Sequence, residues 1–78
     1  MITANAEMWC GAWTPKVKQV TLVNKGGKIF VDGIAAEAME FNRIQLRFTM
    51  PNKDTVILFD GKTESDLSIE QMYKQLKR

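Results

Sequence analysis

The pattern of apolar and polar residues in the first half of the chain predicts a β-hairpin. Residues 17–24 are rich in β-branched side chains, and residues 28–31 form a second run of the same type. A glycine pair at 26–27 separates the two runs. Because the tight turns of hairpins need positive φ angles, which glycine adopts at little cost, this arrangement predicts two antiparallel strands. An Asp-Gly pair at 32–33 predicts a further turn.

The second half of the chain contains the clearest strand signal, at residues 43–50, where every second residue is apolar. An apolar set alternates with a polar set, with Ile44, Leu46, Phe48 and Met50 on one side and Arg43, Gln45, Arg47 and Thr49 on the other. This alternation predicts a strand with one face on the core and one in water. Residues 55–59 are mostly apolar, and the short turn that begins at Pro51 makes the two strands antiparallel.

The C-terminal segment carries the signals of an amphipathic helix. Ser68 and Gln71 form a capping box, in which each side chain accepts a hydrogen bond from the other residue's backbone N–H. An apolar stripe follows at helical spacing, formed by Ile69, Met72, Tyr73 and Leu76. We therefore expect this helix to pack on one face of the sheet.

Two segments fit more than one structure. Within residues 1–15, Thr3 is a candidate helix N-cap, and Trp9 and Trp13 have the spacing of one helix face. A strand is the alternative there, and we favour a short helix or an extended, less ordered arm. Residues 34–41 combine high helix propensity with flanking strands, so we favour one or two helical turns, again with a strand as the alternative.

These elements predict an α+β fold in a single compact domain that covers residues 1–78. The expected sheet is antiparallel and rich in hairpins, has about four strands, and carries the C-terminal helix on one face. One domain is expected because 78 residues leave no room for two.

Composition favours a cytoplasmic protein. A single cysteine, Cys10, excludes an intramolecular disulfide, and the N-terminal residues lack the basic start and long apolar run of a secretory leader. The longest apolar run, at residues 56–59, is far shorter than a membrane span, so we expect no membrane partner. A net charge of +2 is too small to indicate an acidic partner for the chain as a whole.

The residue types exclude the commonest catalytic and metal sites. The chain has no histidine, which is the commonest general base and the commonest metal ligand. Cys10 alone cannot form a zinc site. The acids of residues 60–66 lack the spacing of a calcium loop, and the Lys-Gly-Gly-Lys turn at 25–28 lacks the length of a phosphate loop. We therefore expect no catalysis, no metal and no cofactor.

Two sets of residues are candidates for contacting a partner. Trp9 and Trp13 lie where no strong local element requires a large ring, so they are the candidate partner interface unless they cover an open end of the core. The candidates for contacting nucleic acid are Lys16, Lys18, Arg43 and Arg47. Basic surfaces of that kind normally include aromatic rings for stacking, whereas Phe48 alternates to the face opposite the arginines.

The leading interpretation is a non-catalytic protein-interaction module of unknown partner that forms a homodimer. Small chains of this kind are common among accessory proteins of phages and mobile elements. This expected class follows from their frequency and not from any residue of the sequence. A symmetric dimer is the commonest way for a short chain to bury additional apolar surface. The alternative is a small nucleic-acid-binding domain that uses a basic face of the sheet.

Overall fold

Seven antiparallel strands and one helix make up the structure, a computed structural model that describes residues 1–9 and 14–77. The strands are β1 (Ile2–Trp9), β2 (Lys16–Lys25), β3 (Lys28–Val31), β4 (Ile34–Ala35), β5 (Ala38–Asn42), β6 (Gln45–Thr49) and β7 (Thr55–Phe59), and the helix is α1 (Ile69–Leu76). The α+β class, the antiparallel sheet and the C-terminal helix are confirmed, whereas the expected number of strands is wrong.

The sheet is curled because a short link joins its two ends. Its strand order is β4-β3-β2-β1-β7-β6-β5, so that β7 returns to pair with β1. β4 and β5 lie at opposite ends of this order, although only Ala36 and Glu37 separate them in sequence. The backbone N–H of Ala36 donates to Ile29 of β3 at 2.9 Å. The N–H of Glu37 donates to the carbonyl oxygen of Thr49 in β6 at 2.7 Å, so the link is hydrogen-bonded to strands from both halves of the sheet.

The concave face of the curled sheet holds the hydrophobic core. Successive side chains of a strand point to opposite faces, so alternate residues of each strand point inward. The buried apolar residues are Ile2, Ala4, Ala6, Val20, Leu22, Val31, Leu46, Phe48, Met50, Val56 and Leu58, together with Ile69, Met72 and Leu76 of α1. The residues between them in the strands lie on the convex face, which is the more polar of the two.

Helix α1 begins as the sequence predicts. Ser68 Oγ accepts a hydrogen bond from the backbone N–H of Gln71 at 3.2 Å, and the Gln71 side chain accepts one from the N–H of Ser68 at 2.9 Å. The capping box is therefore confirmed, and it satisfies two of the N–H groups that a helix start leaves without partners. The apolar stripe is confirmed as well, because its members contact the core.

Contacts at the C-terminal end of α1 fix the helix against the sheet. Asn24 of β2 donates from Nδ2 to the carbonyl oxygen of Leu76 at 2.5 Å. Tyr73 stacks on Phe41 of β5, with the ring centroids 4.5 Å apart. These contacts join the helix to strands from both halves of the sheet, so α1 covers one end of the curled structure.

The N-terminal segment forms a central strand, so the expected short helix or arm is wrong. β1 pairs with β2 on one side and with β7 on the other. Its apolar residues Ile2, Ala4 and Ala6 face the core, and this period of two outweighs the helical spacing of Trp9 and Trp13. Trp13 itself lies outside the described residues. Hydrogen bonds along both edges stabilise the strand more than a weak local helix preference stabilises a helix.

Residues 34–41 also form strand structure, in place of the favoured helical turns, so the alternative is confirmed. β4 pairs with β3, and β5 pairs with β6. A helix of this length is marginal in water, so pairing with existing strands overrides its propensity. Ile44, which alternation places on the core side, instead lies in the β5–β6 turn and is 62% exposed.

Both predicted two-residue turns are present. Gly26 and Gly27 have φ angles of 63° and 85°, and they join β2 to β3. Asp32 and Gly33 have φ angles of 52° and 84°, and they join β3 to β4. These left-handed values are the ones that tight hairpin turns require, and aspartate tolerates them better than most other residues.

Replacement of Leu76 by alanine is expected to lower the free energy of unfolding by about 2–4 kcal/mol, because it leaves a cavity where α1 meets the core. Ser68→Ala should cost about 1 kcal/mol through the lost cap. Gln75→Ala, at an exposed position of the same helix, is the control and should change little. Urea denaturation measures all three, and wild-type stability of Leu76→Ala would show that α1 does not contribute to the core.

Candidate functional site

β2 extends beyond its partner on one side, which leaves part of its edge unpaired. On that side β3 pairs only with residues 22–25 of β2. The turn after β3 adds one more contact, in which Thr21 and Asp32 exchange hydrogen bonds. Among the described residues, none pairs with residues 16–20 on this side, although β1 pairs with them on the other.

The burial of β2 changes where the unpaired edge begins. Val20 and Leu22 point inward and are buried, and the residues that follow each of them are partly exposed. The positions before it are exposed on both faces of the strand: Lys16, Val17, Lys18 and Gln19. A strand segment that is open along one edge presents backbone N–H and C=O groups to which another strand can bond.

A cavity of about 240 Å³ lies beside this edge. Its apolar lining comes from β1, β3, β4, β7 and the segment after β6, through Met8, Val31, Ile34, Met50 and Val56. Ile34 stands at the rim, where it is 56% exposed. We call residues 16–20 of β2 together with this cavity the β2 notch. A larger depression of about 620 Å³ lies at the β4–β5 link, but half of its lining is glycine or alanine, which offers a ligand few side-chain contacts.

An ion pair lies at the rim of the β2 notch. Lys18 Nζ is 3.1 Å from Asp32 Oδ2, and Asp32 Oδ1 accepts a hydrogen bond from the backbone N–H of Thr21 at 2.8 Å. Partial burial by itself would raise the pKa of Asp32, but the hydrogen bond from Thr21 and the hydrogen bond and charge of Lys18 together lower that pKa below its usual value. Asp32 is therefore ionised at neutral pH and holds Lys18 in place.

The β2 notch offers chemistry for binding. It combines backbone hydrogen-bonding groups along β2, an apolar cavity and the positive charge of Lys16. Within residues 1–9 and 14–77, no group of acidic, cysteine or histidine side chains is placed to hold a metal ion. Cys10 lies outside the described residues.

The four basic candidates do not form one surface. Lys16 and Lys18 lie on the concave side of β2, because they continue the alternation of its core-facing residues. Arg47 lies on the convex face of β6, with its Nη2 atom 2.6 Å from Glu40 Oε2. Arg43 lies in the β5–β6 turn. The structure therefore separates these cations into three places, and it pairs Lys18 and Arg47 with carboxylates.

Trp9 is partly buried on the convex face, at the end of β1. Its indole Nε1 is buried and has no hydrogen-bond partner among the described residues. Val17 lies diagonally across from Trp9 on the same face, since Val17 pairs with Glu7. Trp9 and Val17 therefore form a small apolar patch, which we call the convex patch. The other candidate of the pair, Trp13, lies outside the described residues.

The elements predicted from the sequence do not include the β2 notch. Ile34 lay in a segment interpreted as helical, and Met8 lay in the N-terminal segment that was expected to be a helix or an arm. One signal was available, since the β-type run at 17–24 is much longer than the run at 28–31. A hairpin formed by runs of unequal length leaves part of the longer strand without a partner from that hairpin, and only the neighbouring strands decide whether that part stays unpaired.

Comparisons with protein-family models, with curated proteins and with solved structures find no match to this chain. No helix of the described residues is long and apolar enough to cross a membrane.

Replacement of Asp32 by asparagine is expected to lower the melting temperature at neutral pH, because it removes the carboxylate that binds Lys18. The lowered pKa of Asp32 stabilises the fold above the pKa of the unfolded chain, which is about 4, and this contribution is lost as pH falls through the folded-state pKa. Asparagine tolerates the positive φ angle of this turn position.

Thermal unfolding of both proteins between neutral pH and about pH 2 tests this expectation. The difference in melting temperature should shrink as pH falls below about 4. Asp66→Asn, at an exposed position, is the control and should follow the wild type. A difference between wild type and Asp32→Asn that stays constant with pH would contradict the role assigned to this carboxylate.

Proposed function

We propose that the chain is a non-catalytic protein-interaction module that binds an extended segment of a partner protein in the β2 notch. The observation that carries the proposal is the unpaired edge at residues 16–20 beside an apolar cavity. A segment that adds a strand to this edge gains main-chain hydrogen bonds, and the cavity selects one of its side chains.

An added strand would continue the line of β3. β3 ends at Val31, which pairs with Leu22, and the following turn bonds to Thr21. Among the described residues, the next positions along β2 have no strand partner on this side, so the partner segment would extend the line of β3. Because β1 already holds the other side of β2, this edge is ordered before binding, and little conformational entropy is lost there on association.

The lysines of β2 disfavour pairing of this edge with the same edge of a second copy. Two copies related by a two-fold axis pair antiparallel, and residues opposite each other then point to the same face. Lys16 and Lys18 share one face, so registers that pair residues 16–20 with themselves bring lysines of both copies together. Like charges at such positions are destabilising, so the edge suits a different chain.

Selection of peptides from a random displayed library, with the full chain as bait, tests this proposal. Selected peptides are expected to shift the amide NMR signals of residues 16–20. Ile34→Trp places a bulkier, aromatic side chain at the rim of the cavity. It should obstruct the cavity and weaken binding about tenfold or more. Ile44→Trp changes an equally exposed isoleucine in the β5–β6 turn and should bind like the wild type. Failure to select peptides, or equal binding by both variants, would contradict the proposal.

Self-association is a second candidate function, and the convex patch favours it. Val17 is apolar and 66% exposed, and the neighbouring Trp9 is only partly buried. A second copy that packs against this patch would remove both side chains from water, which is favourable in proportion to the apolar area buried. The proposed homodimer uses the convex face, away from the lysines of the β2 edge.

Sedimentation equilibrium from micromolar to near-millimolar concentration tests the dimer. The wild type is expected to shift from monomer to dimer over this range, and its melting temperature should rise with concentration. Val17→Asp should remain monomeric, because it buries a charge in the interface. Ile44→Asp, at an exposed position outside the patch, should dimerise like the wild type. A wild-type monomer at every concentration would exclude this function.

A further inference from the structure

We infer that the partner segment carries an apolar residue and an acidic residue two positions apart, the first for the cavity and the second for Lys16. This inference rests on the proposed strand addition at the β2 notch and adds the chemistry of the partner. Residues two apart on a strand point to the same face. One side of the segment can therefore present both side chains to the concave side of the sheet.

The alternation of β2 decides which partner positions face the cavity. Lys16, Lys18 and Val20 point to the concave side, and Val17 and Gln19 point to the convex side. Opposite residues of an antiparallel ladder share a face. Partner residues opposite Lys16 and Lys18 therefore point toward the concave side, and the residue between them points to solvent and is not selected.

The cavity selects an apolar side chain. Its volume is about 240 Å³, and an apolar cavity of about 150 Å³ is already large enough to hold benzene. A leucine, isoleucine or phenylalanine side chain therefore fits. Met8 and Met50, which lie far apart in sequence, both line this cavity, and their flexible side chains adapt to different shapes. Asp32, Asn52 and Asp54 also line the cavity, but apolar atoms form most of its surface, so an apolar side chain buries the most area there.

Charge selects the second side chain. Among the described residues, Lys16 has no ion-pair partner, whereas Lys18 is paired with Asp32. Asp32 and Asp54 both line the cavity, so carboxylates lie on that side of the notch. A carboxylate of the partner is therefore attracted to the position opposite Lys16 and repelled from the cavity side.

These two positions also give the segment a direction. In an antiparallel segment, the residue opposite Lys18 comes before the residue opposite Lys16, which gives the order apolar, any residue, acidic. A parallel segment has the reverse order. Antiparallel pairing is slightly more stable per residue, so the first order is expected to bind more tightly.

Short capped peptides with a Leu-Thr-Glu core in a constant threonine and serine host test this inference with the full chain. Calorimetry and NMR titration measure affinity and location. The Leu-Thr-Glu peptide is expected to bind at residues 16–20. Replacing its leucine by asparagine, or its glutamate by lysine, should weaken binding about tenfold, and the reversed core, Glu-Thr-Leu, should bind less tightly.

Exchange of the charges across the proposed contact is the sharpest test. Lys16→Glu should weaken binding of the Leu-Thr-Glu peptide about tenfold and should strengthen binding of the Leu-Thr-Lys peptide, so that the double exchange restores affinity. Lys62→Glu makes the same change of charge at an exposed position that does not line the notch, and both affinities should stay close to those of the wild type.

The outcomes separate this inference from the proposed function. Peptides that shift the signals of residues 16–20 equally well without the leucine or the glutamate would overturn the inference and leave strand addition standing. Peptides that leave those signals unchanged at about 1 mM would overturn both. Methylation of alternate backbone nitrogens of the peptide reports on strand addition alone, because only one of the two alternating sets should abolish binding.

Discussion

The pairing of β7 with β1 is the contact on which the rest of the structure depends. Without it, no ladder would connect the two groups of strands, β1 to β4 and β5 to β7, which the chain links through Ala36 and Glu37. With it, the short link and the β1–β7 ladder together force the sheet to curl. The concave face then encloses the apolar side chains of the strands, and α1 packs against them.

The β2 notch results from strands of unequal length. β2 has ten residues and β3 has four, so β3 pairs with only part of the β2 edge. Exposed strand edges are prone to pair with other copies, and charged side chains are a common protection against this. Lys16 and Lys18 give that protection on β2. In our proposal Lys16 also selects the partner, because a positive charge that disfavours a second copy attracts an acidic segment.

Local signals predicted much of the fold. The glycine and Asp-Gly turns, the alternation at 43–50, apart from its first two residues, and the Ser68 capping box act over a few residues, so the sequence displays them directly. The errors lie where local preference and tertiary pairing disagree. Residues 34–41 have helix propensity but bridge two ends of a sheet, and β1 became a central strand because two other strands were available to pair with it.

The sequence by itself determined the fold class, the hairpin turns, the helix and the lack of a histidine-based site, because these follow from residue type and short-range spacing. Tertiary structure decided the strand count, the curl and the position of the candidate site. The β2 notch combines β1, β2, the β3–β4 hairpin, the segment after β6 and β7, which lie far apart in sequence. No local pattern shows which strand edge remains unpaired, because that depends on the lengths and neighbours of all the strands together.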